Sequence, residues 1–344
     1  MNDAQRQSSS LGNRLDRTIR THLLAPVHTP LLGASRAILA LSTMLTLLAT
    51  PTPHLFFIGA GIVDGRICAG LADRIGLFCL VPASTEGLTA AKFAAVGILV
   101  WVAVGWRPRL SAFPHWWVCF SFSNSSNVID GGDQVAAIAS LLLIPICLTD
   151  GRKWHWNRPG QTSQPAAVIA HISLRLIWLQ VAVVYLHASI GKLGVAEWQN
   201  GTNYWYWATT EPFGLPSHLH SIGTWALQYA PVVVATTWGA IAIEFYLALC
   251  LIKSQPWRRW GLFLGFLLHG GIALSLGLLS FAGTMCAVLL LYMRRPHDSG
   301  QLFPPSVVIA IKLPLRVLSR LKRSEQKPQA APSTVSERNS ERVP

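Results

Sequence analysis

An all-α bundle of about eight transmembrane helices, both termini cytoplasmic, is the fold the sequence predicts. Three observations carry it. Only 12% of the 344 residues are charged, whereas 51% are hydrophobic, against about 25% charged in an ordinary soluble domain. The apolar residues come in long unbroken runs, so lipid is the expected solvent and the cell membrane the expected location. Finally, the basic residues fall in alternate loops, as retention of Lys and Arg on the cytoplasmic side requires.

The first run, Leu31 to Ala49, follows a polar basic leader (1–30) and has no convincing cleavage site after it, so it reads as a retained span. Further runs cover Ala91 to Trp106, Ser111 to Val128, Gln134 to Leu148, Ala166 to Ile190, Pro231 to Ile252, Trp260 to Leu276 and Leu279 to Met293. The second, fourth and eighth fall short of the roughly 20 residues of a straight span. With the amino terminus inside, only Arg66, Arg74, Lys92 and Lys192 lie outside. Arg36 and Arg175 lie within spans, and every other Lys and Arg is cytoplasmic. Removing the third run would place the cluster at Arg152 outside and break this pattern.

The membrane domain thus spans 31–295. Segment 296–323 mixes Val, Ile and Leu with Lys and Arg like a membrane-surface helix that Pro314 interrupts. Residues 324–344, rich in Ser, Pro, Glu and Arg, have the composition of a disordered tail. The formal charge of +13 is assigned to the lipid surface, not to nucleic acid. There is no Walker motif, no dinucleotide fingerprint and no paired metal-binding Cys-x-x-Cys, so no metal is expected.

Four of the six cysteines fall inside runs, where a buried thiol is unremarkable. Cys68 and Cys79 share the outside loop between the first two spans, where an oxidising compartment would allow them to join or leave two free thiols.

Charged groups inside spans cost a few kcal/mol on insertion scales and so need a partner or a task. Arg36, Arg175, Glu244 and His269 are in that position. A structural reading pairs Glu244 with Arg36 or Arg175 and gives His269 a hydrogen bond to a neighbouring helix. At the outer end of the fifth run, HASIGKLGVAEWQNGTNYWYW holds Lys192 between His187 and Glu197. On a continuous helix His187 and Lys192 point about 140° apart; Gly191 and Gly194 offer an earlier ending that would bring them together. Lys192 can be read as a base made available by a half-dehydrated setting, or as an anchor snorkelling toward an aromatic belt that begins at Trp198. Between the third and fourth runs, Asp130 and Asp133 flank Gly131 and Gly132. Asp133 reads as a helix cap, and the two carboxylates together as a site for a cation or amine.

These segments, SRAILALSTMLTLL, NVIDGGDQV with LLLIPICLTD, YLHASIGKLGVAEWQNGTNYWY and HGGIALSLGLLSF, together resemble the sporulation-delaying protein B (SdpB) family over about residues 30 to 295. That family belongs to the HTTM superfamily, bacterial relatives of vitamin K-dependent γ-glutamyl carboxylase. The resemblance implies a role in maturation or export of a secreted peptide toxin, with the peptide precursor and a small SdpA-like protein as partners. It also implies Lys192 as the matching position of a catalytic lysine base, with a membrane quinol as the cofactor the family would allow; in the enzyme reading built on it, His187, His269 and Asp133 shape the pocket. Glutamate carboxylation is not implied, because the chain lacks the large luminal domain of the animal carboxylase. The alternative role is a non-enzymatic chaperone, receptor or immunity partner of the peptide.

Overall fold

The computed structural model describes residues 26–58, 63–158, 160–210, 214–295 and 303. The expectations for the leader up to residue 25, and for the surface segment and tail beyond 295 apart from Phe303, lie outside the described residues.

Among the described residues, eight principal helices build the bundle: α1 (Pro30–Ala49), α4 (Thr85–Val104), α5 (Pro108–Ser123), α6 (Gly131–Leu148), α7 (Gln164–Lys192), α11 (Ala230–Leu249), α12 (Gln255–Leu276) and α13 (Leu279–Met293). Short helices α2 (Thr52–Phe56), α3 (Leu71–Ile75), α8 (Ala196–Gln199), α9 (Asn203–Thr209) and α10 (His220–Leu227), with a hairpin of β1 (Phe57–Ile58) and β2 (Val63–Asp64), lie in the connections. Among the described residues, six helices are long and apolar enough to cross a membrane. The expected spans at Ser111 and Leu279 instead form α5 and α13, with 16 and 15 residues. At 1.5 Å per residue these are too short for a straight crossing of about 30 Å. Most of α13 is buried against its neighbours, so packing against α1 and α12 replaces lipid along much of its length.

Helix starts follow local chemistry. Thr29 and Ser84 cap α1 and α4 by accepting from Leu32 and Gly87 N–H, and Pro lies in the first turn of α1, α5, α7, α11 and α12. Gly105 and Gly277 end α4 and α12 with positive φ, a backbone that favours glycine.

Successive principal helices alternate in direction. At one end the loop after α1 meets the turn after α5: Ile67 N–H donates to Ser125 O, and Asn127 N–H to Leu55 O. Cys68 and Cys79 are bonded there, while Arg66 clasps Asp64 and donates to Phe78 O and Val81 O. At the opposite end, Arg107 N–H donates to Lys153 O and His155 N–H to Gly105 O. Arg258 donates to Cys250 O, Tyr292 O and Met293 O, thereby holding the carboxyl ends of α11 and α13 together. Arg295 donates to Lys253 O at the same end. The clusters around Arg107, Arg152, Lys253 and Arg294 therefore gather at a basic end, opposite the disulfide end.

Two placements differ from expectation. Lys92 is inside α4 and buried, donating to Thr50 O at 2.7 Å; α4 begins six residues before the apolar run because Ser84 supplies its cap. Arg36 donates to Ser111 O and Oγ, and Arg175 lies over Trp178, so neither pairs with Glu244.

Candidate functional site

Helix α7 runs unbroken for 29 residues and Lys192 is its last helical residue. Its side chain turns back along the helix, with Nζ 3.4 Å from Ala188 O, and enters the bundle instead of extending outward. There it donates to Glu244 Oε1 and Oε2 at 2.8 and 2.6 Å. Glu244 is well inside α11, so this pair replaces the expected one with Arg36 or Arg175. Both partners are largely shielded, with side chains 20% and 12% exposed. One charge inside lipid is expensive; two opposite charges with short, direct hydrogen bonds offset much of that cost.

The chain beyond α7 folds over the pair. Gly194 and Val195 N–H groups turn back to Gly191 O and Lys192 O, and α8 brings the Trp198 ring to 5.1 Å from Lys192 Nζ. Gly201, at φ +81°, packs against Val234; a Cβ there would lie 3.1 Å from a Val234 methyl. This close approach seats α9 on α11, where Tyr204 N–H donates to Thr237 Oγ1.

Lys192 and Glu244 face a cavity of about 730 Å³ between α11 and α12, walled by Trp198, Tyr204, Trp207 and Phe281 among a largely apolar lining. Asp130 forms part of the wall. It caps α6, accepting from Asp133 N–H while Asp133 accepts from Asp130 N–H. Asp133 thus belongs to a reciprocal capping box, with Asp130 at the cap position. Burial pushes the Asp130 carboxyl above the usual carboxylate range, against the opposing effect of the Asp133 and Gly132 backbone N–H groups.

His269 is buried beside the cavity, its Nε2 2.8 Å from Tyr185 Oη and its ring 5.5 Å from that of Phe281. It is near enough to Lys192 for that charge to act on it. Tyr185 lies seven residues before Lys192, hence on the same helical face. The signal for it in the sequence was a phenol within an apolar run, which must find a hydrogen-bond partner.

The structure does not bring His187 or Glu197 to this site: α7 does not end early, His187 is on an exposed face and Glu197 is exposed on α8. Arg36 lies at the basic end. Among the described residues no group of three His, Cys, Asp or Glu side chains is arranged to hold a metal.

The arrangement is an ion pair at the edge of an apolar chamber. Over 260 residues the chain is 32% identical to the sporulation-delaying protein SdpB of Bacillus subtilis (strain 168), covering 75% of this chain and 79% of that protein. The chain belongs to the SdpB family. The SdpB-like region also matches YitO of Bacillus subtilis (strain 168), at 36% identity over 273 residues, 79% of this chain and 87% of YitO. No family model matches the chain, and no solved structure matches it.

Proposed function

We propose that this SdpB-family protein is a membrane enzyme of the sporulation-delaying toxin pathway, acting on a secreted peptide precursor with Lys192 as base. The observation that carries the reading is the Lys192–Glu244 pair facing a large, mostly apolar cavity. Transfer of one ammonium proton to Glu244 yields a neutral amine and a carboxylic acid. The amine then takes a proton from the substrate, leaving a substrate anion and restoring the ammonium. Trp198 and Glu244 hold the nitrogen in place, and the apolar walls keep water from competing for it. A membrane quinol fits this scheme as an acid that Lys192 deprotonates, in keeping with the HTTM resemblance. In this reading the disulfide end faces the outside and the basic end the cytoplasm.

The closure of the pair favours a second reading: with both carboxylate oxygens engaged, Lys192 also staples α7 to α11 in a non-enzymatic chaperone or receptor for the peptide. Exchanging the charges, Lys192→Glu with Glu244→Lys, separates the two. The exchange keeps the staple but moves the amine, so the enzyme reading expects an inserted, stable and inactive protein. Retained peptide maturation in the exchanged protein would favour the staple.

A further inference from the structure

At the basic end, away from the chamber, lies a smaller cavity that the proposed function does not use. Its volume is about 160 Å³, and it is lined by the start of α1, Leu174 of α7 and the end of α13. Leu32, Leu174 and Leu291 give it a buried apolar side, while Arg294 and Arg295, the two residues after α13, line it with cations. Leu31, in the same wall, is partly exposed, so the cavity reaches the surface of the bundle.

The charges around this cavity do not balance. Arg258, fully buried on α12, lies over the rings of Trp178 and Tyr292, its guanidinium carbon 4.9 and 5.2 Å from their centroids. Arg175, next in sequence to Leu174, lies over the same Trp178 ring at 5.3 Å. Arg295 and Arg175 are both near enough to Arg258 for their charges to act on it. Arg295 Nη2 donates to Lys253 O, and its Nε has no hydrogen-bond partner among the described residues. The carboxyl ends of α11 and α13 carry roughly half a negative charge each, about one in total, against the four guanidiniums of Arg175, Arg258, Arg294 and Arg295. Among the described residues the only carboxylate at this end is Asp150, which is bonded bidentately to Arg152.

A phosphodiester supplies what is missing. It is anionic, and its oxygens accept from neighbouring guanidiniums. Free phosphate would bring the same charge, but the apolar side of the cavity and its opening on a lipid-facing bundle favour a phosphate whose acyl chains stay in the bilayer. Basic pockets between helices at the membrane surface hold lipid headgroups in this way. We infer that Arg294 and Arg295 hold the phosphodiester of an anionic phospholipid headgroup in the cavity between α1, α7 and α13. The bound headgroup offsets the arginine cluster and ties the start of α1 to the end of α13.

The test is thermal unfolding of the purified full-length protein in detergent, with added phosphatidylglycerol, phosphatidylcholine or inorganic phosphate. A ligand that binds only the folded state raises the midpoint with its concentration. The expected result is a midpoint that rises with phosphatidylglycerol but not with the other two. Arg294→Gln with Arg295→Gln should then need about tenfold more phosphatidylglycerol for the same rise. Arg107→Gln with Arg109→Gln, exposed at the same end but outside the cavity, should respond like the wild type, which separates the cavity from the general pull of a basic surface. If the first variant does not fold, Leu31→Trp, which keeps both arginines and fills the cavity from its exposed wall, should weaken the response to a similar degree. Equal midpoints with phosphatidylglycerol and phosphatidylcholine would overturn the proposal. So would an equal rise with inorganic phosphate, which would assign the cavity to the free anion, or a phosphatidylglycerol response that the folded cavity variant leaves unchanged or that the Arg107 and Arg109 changes reduce as much.

Discussion

The Lys192 ammonium reaches back from the last residue of α7 to both carboxylate oxygens of Glu244 on α11, a pairing across 52 positions of sequence. The two costly charges thereby enter the bundle as one neutral unit facing the chamber. Removing either partner leaves the other buried and uncompensated, whereas removing both leaves an apolar contact.

Glu244→Gln is therefore expected to destabilise the protein by about 3 kcal/mol, the lower end of the range for a broken buried pair, since Lys192 keeps some solvent contact. Lys192→Met with Glu244→Gln should cost less than the sum of the single changes. A double-mutant cycle on unfolding midpoints checks this; simple additivity would mean that the pair contributes no coupling.

The bond between Cys68 and Cys79, 11 residues apart, closes a loop whose constraint contributes about 3 kcal/mol in the chain-entropy account. Replacing both with Ala should loosen the loop at the disulfide end without releasing the helices. With that end outside, a membrane-impermeant maleimide should label intact cells only after reduction, and the double Ala variant not at all. Labelling confined to opened cells would reverse the orientation.

Asp130→Ala removes one half of the capping box and is expected to cost about 1 kcal/mol. Because Gly132 packs against the Phe281 backbone, fraying of α6 should also disturb the cavity wall. Asp130→Asn, which still accepts the Asp133 N–H, should retain most of the stability. Hydrogen exchange over 130–136 distinguishes the two variants.

Burial, reinforced by Arg36 and Arg152, lowers the His155 imidazole from 6.5 to about 4. Between these values the unfolded chain holds the additional proton, so His155's contribution is complete above pH 6.5 and is lost as the pH falls toward 4. The wild type should lose stability over this window more steeply than His155→Phe. Parallel pH profiles would contradict the burial of a neutral ring.

Much of the fold was legible because lipid enforces a simple rule: long apolar runs become helices, and basic residues collect at alternate ends. Lengths were less legible. Ser84 starts α4 through a cap lying outside the apolar run, and α13 stays short because protein replaces lipid around it. Single positions such as Lys192, Glu244 and His269 stood out because each is expensive in an apolar setting. Their partners did not, since the Lys192–Glu244 and Tyr185–His269 contacts depend on which helices pack together, which periodicity along one helix does not encode. His187 shows the limit in the other direction: two glycines permitted α7 to end early, but its hydrogen bonds carry it through to Lys192.

The most direct test of Lys192 as a base is the intact mass of the secreted peptide from cells carrying either the wild type or Lys192→Arg, with membrane insertion verified in both. Arginine can keep the bond to Glu244 but does not readily release its proton. The base account predicts a mass change on the peptide in the wild type that is absent in the variant. A peptide of identical mass and yield from both would contradict it and leave Lys192 as the staple between α7 and α11.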